Sequence, residues 1–320
     1  MTASKQETHS DLSVTFLGTA ASAPTAQRST TAILVSRAGD RLLFDCGEGA
    51  QRQMQRAGGL VMVDAIFLSH YHADHYLGLP GLLSSYALAD RHQTLEIYGP
   101  VGLEKLFSHL SPLIGKTPYK ISLHQLQPGD QVAYSGYAVS AFATEHNARS
   151  LGYVLAEDER PGRFHPDKAK DLGVRSGKEF GMLQRGEAVP GKDGIVQPEQ
   201  VMDAPRRGRK LVISGDTAPC KATVAAGKDA DLLIHEASFS DEDKARAGKS
   251  KHSTVSQAAM IGRQADAEML ALVHIAGRYH VGKLLGQARK LHKNVVAPRD
   301  LDVIEIPFPE KGRPHLVSPH

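Results

Sequence analysis

The segment SHYHADH, residues 69–75, follows the apolar run DAIFL and sets His70, His72, Asp74 and His75 within six positions. An imidazole or carboxylate buried without a partner is costly, so a fold that keeps these four together must supply something to meet their lone pairs and charge. If the chain stays extended through Tyr71, His70 and His72 face the same way, because side chains alternate along a strand. Asp74 and His75 then turn to a neighbouring position. Two adjacent cations fit that arrangement. The donors are nitrogen and oxygen alone, which suits Zn²⁺, with Mn²⁺ or Co²⁺ also accommodated. A polar turn explains one histidine on a loop; it does not explain four donors behind a buried strand.

The same placement recurs along the chain. His70, His146, Asp216, His235 and His274 each close an apolar run, and strand ends are rigid points from which ligands can converge. Strands are expected at residues 12–18, 31–36, 41–47 and 64–70, with a hairpin turn at Arg37-Ala38-Gly39-Asp40. The sequence LPGLLSSYALAD and VGLEKLFSHL read as helices, and LEIYG, ISLHQLQ, QVAY, YAVSAFATEH and LGYVLAE as strands. After an irregular stretch, RKLVISGD, DLLIHEA and EMLALVHI are strands, STVSQAAMIGRQA is a helix capped by Ser253 or Thr254, and a helix and the strand DVIEIP close the pattern. Mixed strands and helices in both halves predict two packed sheets covered by helices on their outer faces. Asp45, in FDCGEG, either orients a ligand histidine through its second ring nitrogen or stabilises the turn before Gly47. Asp216, in SGDT, has two oxygens that can bridge two cations, although Gly-Asp-Thr alone also reads as a helix cap.

Composition narrows the class without choosing within it. The 320 residues are 41% hydrophobic and 23% charged, and the net charge of +3 is too small to argue for a polyanionic partner. Two cysteines, Cys46 and Cys220, make no disulfide framework and no Cys/His metal pattern, so a reducing cytoplasm is the expected compartment. The first residues lack the apolar core of a signal peptide, and no run is long enough to span a membrane.

In order along the chain stand FLGTAASAP, LFDCGEGAQRQ, SHYHADHYLGLPGLL, TEHNARSLGY, SGDT, HEASF, KHST and HIAGRY. This series resembles the short form of the ribonuclease Z family, metallo-β-lactamase-fold endonucleases that remove 3′ trailers from tRNA precursors. HxHxDH by itself marks only the superfamily. The resemblance implies an α/β (α+β) four-layer αββα sandwich with a protruding flexible arm. It implies residues 1–156 and 208–320 as the two halves of the sandwich and 157–207 as the inserted tRNA-binding arm. By the same resemblance, His70, His72 and His146 hold one Zn²⁺, Asp74, His75 and His274 the second, and Asp216 bridges them, giving two Zn²⁺ per subunit. Asp74 doubles as the general base, His252 of KHST donates a proton to the departing 3′-oxygen, and Glu236 of HEASF orients it. Asp45 takes the orienting role, and Arg278 contacts phosphate. The products are a 3′-hydroxyl on the tRNA and a 5′-phosphate on the trailer.

The arm interval is broken repeatedly by Gly and Pro and carries Arg163, Lys168, Lys170, Arg175, Lys178 and Arg185, with Arg175-Ser176-Gly177-Lys178 where relatives carry a Pro-rich turn. The resemblance implies that it clamps the tRNA elbow across a homodimer, a hold that weakens with salt. Two other readings compete. A hydrolase of a small phosphodiester or aryl sulfate on the same fold needs neither the basic arm nor the HEASF/KHST pair. A nucleic-acid-binding module with a dead site predicts missing ligands, and none is missing.

Overall fold

The structure, a computed structural model, describes residues 11–318. Among the described residues two large sheets stand out. The first has eight strands in the order His315–Val317, Val303–Glu305, Leu12–Gly18, Ala32–Arg37, Asp40–Phe44, Ala65–Phe67, Leu95–Pro100 and Ile121–Leu126. The second has seven, in the order Val295–Val296, Met269–Val273, Leu232–Glu236, Lys210–Ile213, Leu151–Glu157, Tyr137–Ala143 and Gln131–Tyr134.

Alternation along each strand sorts side chains into layers. Val14, Phe16, Phe44 and Phe67 of the first sheet share one buried cluster with Val139, Tyr153, Ile213 and Ile234 of the second. The Phe67 ring stands edge-on to Tyr153 at 5.4 Å, a direct contact between the two sheets. Their outward neighbours pack on helices instead. Leu43, Ile66 and Leu68 join Leu82, Leu83 and Phe107 of the helices Leu79–Leu88 and Leu103–Ile114. Leu233, Leu270 and Leu272 join Ala258, Ala259 and Leu284 of Val255–Gln264 and Val281–Ala288. The result is helix, sheet, sheet, helix.

Local chemistry explains several boundaries. The hairpin between Ala32–Arg37 and Asp40–Phe44 turns at Ala38 and Gly39, whose φ angles are 48° and 112°. Two positive φ values match the right-handed twist of the flanking strands. Thr254 caps Val255–Gln264 through a reciprocal capping box with Gln257. No helix among the described residues is long and apolar enough to cross a membrane.

Contacts divide the chain into two compact units. One comprises the residues up to Leu155 together with those from Arg209 onward, and the second is Ala156–Gly208. The second unit is more ordered than its broken sequence pattern indicates. It contains helices Pro166–Asp171 and Lys178–Gln184 and a hairpin of Val189–Gly191 with Gly194–Val196. Ala169, Val174, Leu183, Val189, Val196 and Val201 form its own small core. Helices this short show no periodicity, because each contributes one or two apolar residues to that core.

Candidate metal centre

Parallel pairing places the site. Asp40–Phe44, Ala65–Phe67 and Leu95–Pro100 run parallel in the first sheet, and Lys210–Ile213, Leu232–Glu236 and Met269–Val273 run parallel in the second. Parallel strands end on a common edge, where open sheets bind their ligands. Asp45, His70, Asp216, Glu236 and His274 all lie at or just past such carboxyl ends.

The polar side chains converge in three overlapping groups, one of them made of Asp216, His252 and His274. His70, His72, His146 and Asp216 each offer a ligand atom, all within 4.8 Å of one another, and so do Asp74, His75 and His274. The Asp216 carboxylate lies among these donors, with Oδ2 3.8 Å from His70 Nε2, 3.3 Å from His75 Nε2 and 3.5 Å from His274 Nε2. One of the donor atoms is left over for a cation. His75 Nε2 is buried without a hydrogen-bond partner, although two carboxylates are within reach. It stands within 3.6 Å of Asp74 Oδ2 and 3.3 Å of Asp216 Oδ2, and a cation among them would take the place of the proton that the two carboxylates otherwise favour on this ring. Imidazole and carboxylate donors in this number are a zinc-type set.

The second nitrogens of the ligand histidines are also fixed. His75 Nδ1 is 2.8 Å from Asp45 Oδ2, and the other Asp45 oxygen accepts from the Ser69 backbone at 2.7 Å. Ser69 Oγ reaches both Asp45 and His70 Nδ1. The Lys251 carbonyl meets His146 Nδ1 at 3.1 Å, and Ser238 Oγ meets His274 Nδ1 at 2.8 Å. Such contacts set tautomer and ring orientation before a metal arrives. Asp45 and His274 hold left-handed backbone, with φ of 57° and 53°. That conformation costs about 1 kcal/mol or more at a non-glycine residue, and the packed surroundings maintain it.

Electrostatics follows from burial and charge. Burial drives the His70 pKa well below the usual histidine value, with the neighbouring His75 charge adding to the effect. Burial lowers His146 too. For His75 burial also pulls down, but the carboxylates of Asp216 and Asp45 outweigh it and the net shift is upward. Burial pushes Asp74 up, yet the hydrogen bond from His274 and the charges of His75 and His274 leave it well below the ordinary carboxylate range. Asp74 Oδ2 also accepts from the Ser22 backbone at 2.8 Å.

Beside the donors stands a second pair. His252 Nδ1 is 2.7 Å from Glu236 Oε1, and Glu236 is fixed in turn by the Thr217 and Ser238 backbone amides and the Ser238 hydroxyl. Burial lowers the His252 pKa, but its bond to Glu236 and that carboxylate's charge raise it above the usual value overall. Arg278 lies over the rings of Tyr279 and Phe239, and the Phe239 ring is 5.9 Å from that of His252.

Not every singled-out residue arrives here. His235 is buried on the opposite face of its strand from Glu236, with Nδ1 on the Glu236 carbonyl. Arg163, Lys168, Lys170, Arg175, Lys178 and Arg185 are exposed in the Ala156–Gly208 unit, where Arg185 meets Glu187 and Lys170 meets Asp167. Ser69 and Ser238 are structurally central and carried no sequence signal beyond standing next to a ligand or inside HEASF.

A family model described as a beta-lactamase superfamily domain matches residues 40–171. Ribonuclease Z of Myxococcus xanthus is 47% identical over 289 residues, 89% of this chain and 94% of its own length. Ribonuclease Z of Methanosarcina acetivorans is 45% identical over 302 residues, 93% of this chain and 99% of its own. The chain belongs to the ribonuclease Z family. Among solved structures, the short form of human tRNase Z superposes with a TM-score of 0.68 at 28% identity, covering 92% of this chain and 99% of that one. The metallo-beta-lactamase fold protein YhfI of Bacillus subtilis reaches the same TM-score of 0.68 at 20% identity, a likeness of fold. The layered sandwich of this ribonuclease Z family member is the metallo-β-lactamase fold.

Proposed function

We infer that this ribonuclease Z cuts the 3′ trailer from tRNA precursors, leaving a 3′-hydroxyl on the tRNA and a 5′-phosphate on the trailer. The observation that carries the reading is the Glu236–His252 pair standing beside two donor groups joined at Asp216. His70, His72 and His146 would hold one Zn²⁺ and Asp74, His75 and His274 a second, with Asp216 shared; Mn²⁺ or Co²⁺ suits the same donors. When bound, such a pair lowers the pKa of water toward neutrality and neutralises phosphate oxygens.

The rest falls to the protein. Asp74, anchored by the Ser22 amide, accepts a hydrogen bond from the attacking water, aligns it and draws off its proton. His252 carries a proton to the leaving ribose oxygen, and Glu236 keeps that imidazole charged and pointed. Asp45 steadies His75 and the Ser69 turn, so the donors keep their places between cycles. Arg278, braced on Phe239 and Tyr279, meets a phosphate oxygen of the RNA. The exposed cations of the Ala156–Gly208 unit bind tRNA phosphates as a clamp, with the enzyme acting as a homodimer in which one subunit holds what the other cuts.

The test is incubation with a tRNA precursor carrying a 3′ trailer, with and without chelator, followed by mapping of both ends. Chelator-sensitive cleavage at the trailer junction with the stated end groups is expected. Turnover of a small phosphodiester or aryl sulfate with no cleavage of any precursor overturns the reading.

A further inference from the structure

Gly277 and Arg278 turn the chain just past His274, and the Tyr279 amide closes the turn on the Ala276 carbonyl at 3.1 Å. Neighbouring side chains diverge on a strand, but on this turn Arg278 and Tyr279 meet. Arg278 Nη2 donates to the Tyr279 hydroxyl at 2.7 Å, and that hydroxyl donates in turn to Asp243 Oδ2. The same carboxylate oxygen is 3.8 Å from Arg278 Nη2, close enough for charge attraction and too far for a hydrogen bond. A neutral hydroxyl stands between the two charges.

Asp243 is the last of three consecutive acids, and the other two are engaged elsewhere. Asp241 accepts from the Ser256 hydroxyl and, at 3.2 Å, from its amide, while Glu242 meets Lys283 at 2.8 Å. Phe239 is buried with its ring centroid 5.4 Å from Arg278 Cζ, held by backbone bonds to Ser253 and Val255 beside His252. The Arg278 side chain itself remains 44% exposed, and one of its hydrogens is committed to Tyr279. The others make no hydrogen bond among the described residues, which leaves them open to an anion.

We propose that Tyr279 and Asp243 are positioning residues for Arg278, and that the Tyr279 hydroxyl is a spacer that keeps Asp243 from occupying the guanidinium itself. The proposal rests on the phosphate role given to Arg278 above and deepens it. Two needs conflict at such an arginine. A long side chain left unheld loses rotamer freedom when it meets its phosphate, which weakens the contact. A carboxylate in direct contact would hold it, but through the same forked hydrogen bonds that a phosphate uses. The interposed hydroxyl meets both needs. It draws one edge of the guanidinium toward Asp243, and the attraction across 3.8 Å steadies the group without closing the fork. Phe239 and the Tyr279 ring fix the plane in which the fork lies. Removing the hydroxyl alone therefore does more harm than removing it together with the charge behind it. Without Tyr279 Oη, Asp243 closes on Arg278 and competes with the RNA.

The experiment measures kcat/KM on a tRNA precursor, across a salt series, for the wild type, Arg278→Ala, Tyr279→Phe, Tyr279→Phe with Asp243→Asn, and Tyr279→Phe with Arg278→Ala. Bound zinc and the circular dichroism spectrum check that each variant is folded. Tyr279→Phe keeps the ring and is expected to lower kcat/KM by about tenfold, the effect of losing one charge-assisted hydrogen bond. Adding Asp243→Asn is expected to restore most of that loss, and in the Arg278→Ala background Tyr279→Phe is expected to cost nothing more. Arg278→Ala and Tyr279→Phe should each reduce the logarithmic salt slope by about one, the share of one phosphate contact. A double variant with Asp243→Asn that cuts no better than Tyr279→Phe overturns the spacer, and so does a further loss from Tyr279→Phe when Arg278 is already absent. Wild-type cleavage by Arg278→Ala overturns the phosphate role of that arginine and the proposal with it, while the cleavage reading stands. A precursor left uncut by the wild type overturns the functional reading itself.

Discussion

At His252 two opposing influences act on one proton. Burial favours the neutral ring, and the Glu236 carboxylate 2.7 Å away favours the charged one; the charge wins and the pKa rises. A proton donor works only while protonated, so a raised pKa extends activity toward alkaline pH. Glu236→Gln keeps the shape and removes the charge. It is expected to move the alkaline limb of the kcat/KM profile down by about one pH unit, with zinc content unchanged. An unmoved limb assigns the proton to another group. Asp45 makes a separate case, because its oxygens hold His75 and the Ser69 turn without offering an atom to any donor group. Asp45→Ala is expected to weaken zinc binding by about 10- to 100-fold, read by competition with a chelating dye. The cluster His70, His72, Asp74 and His75 was legible in the sequence because four such donors behind a buried strand have few other uses, whereas His146, Asp216 and His274 stood out only as strand ends and took a ligand role from the family resemblance. Ser238 was not legible, since a serine hydroxyl serving Glu236 and His274 resembles any other small polar residue in a turn.

Among the elements, regular strands with apolar runs announced themselves, and their ends gave the site. Strand alternation also holds what the list of strand-end histidines omitted. His235 and Glu236 are adjacent, so they must face opposite sides, and only Glu236 faces the site. The turn after Asp40–Phe44 depends on a glycine for a reason that sequence patterns do not reveal. A Cβ at Gly47 would stand 2.4 Å from Thr30 Oγ1 and 2.5 Å from the Asp74 carbonyl. Gly47→Ala is expected to destabilise the protein by about 2 kcal/mol and to lower bound zinc, because relief of the clash moves Asp74. Gly248→Ala, in the helix Lys244–Ser250 where a Cβ meets nothing within 4 Å, serves as the contrast. It is expected to leave zinc alone and raise the thermal midpoint slightly.

For the whole molecule, the second compact unit has a core of its own, so removing it need not open the sandwich. Excision should respect that core: a cut after Gly191 would strand half of the hairpin with Gly194–Val196. Replacing residues 157–207 with a short Gly-Ser linker is expected to weaken precursor binding and flatten its salt dependence while sparing small-diester hydrolysis. Equal losses on both substrates refute a clamp role. The elements of this unit were hidden in the sequence because its helices are too short to repeat a pattern, whereas the sandwich was legible from long apolar runs. The donor groups draw on both halves of the sandwich, and Asp74 meets His274 across a separation of 200 residues. A growing polypeptide therefore reaches the ribosome exit with its early histidines displayed and their partners unmade. Until the strand bearing His274 has emerged and paired, the centre is incomplete.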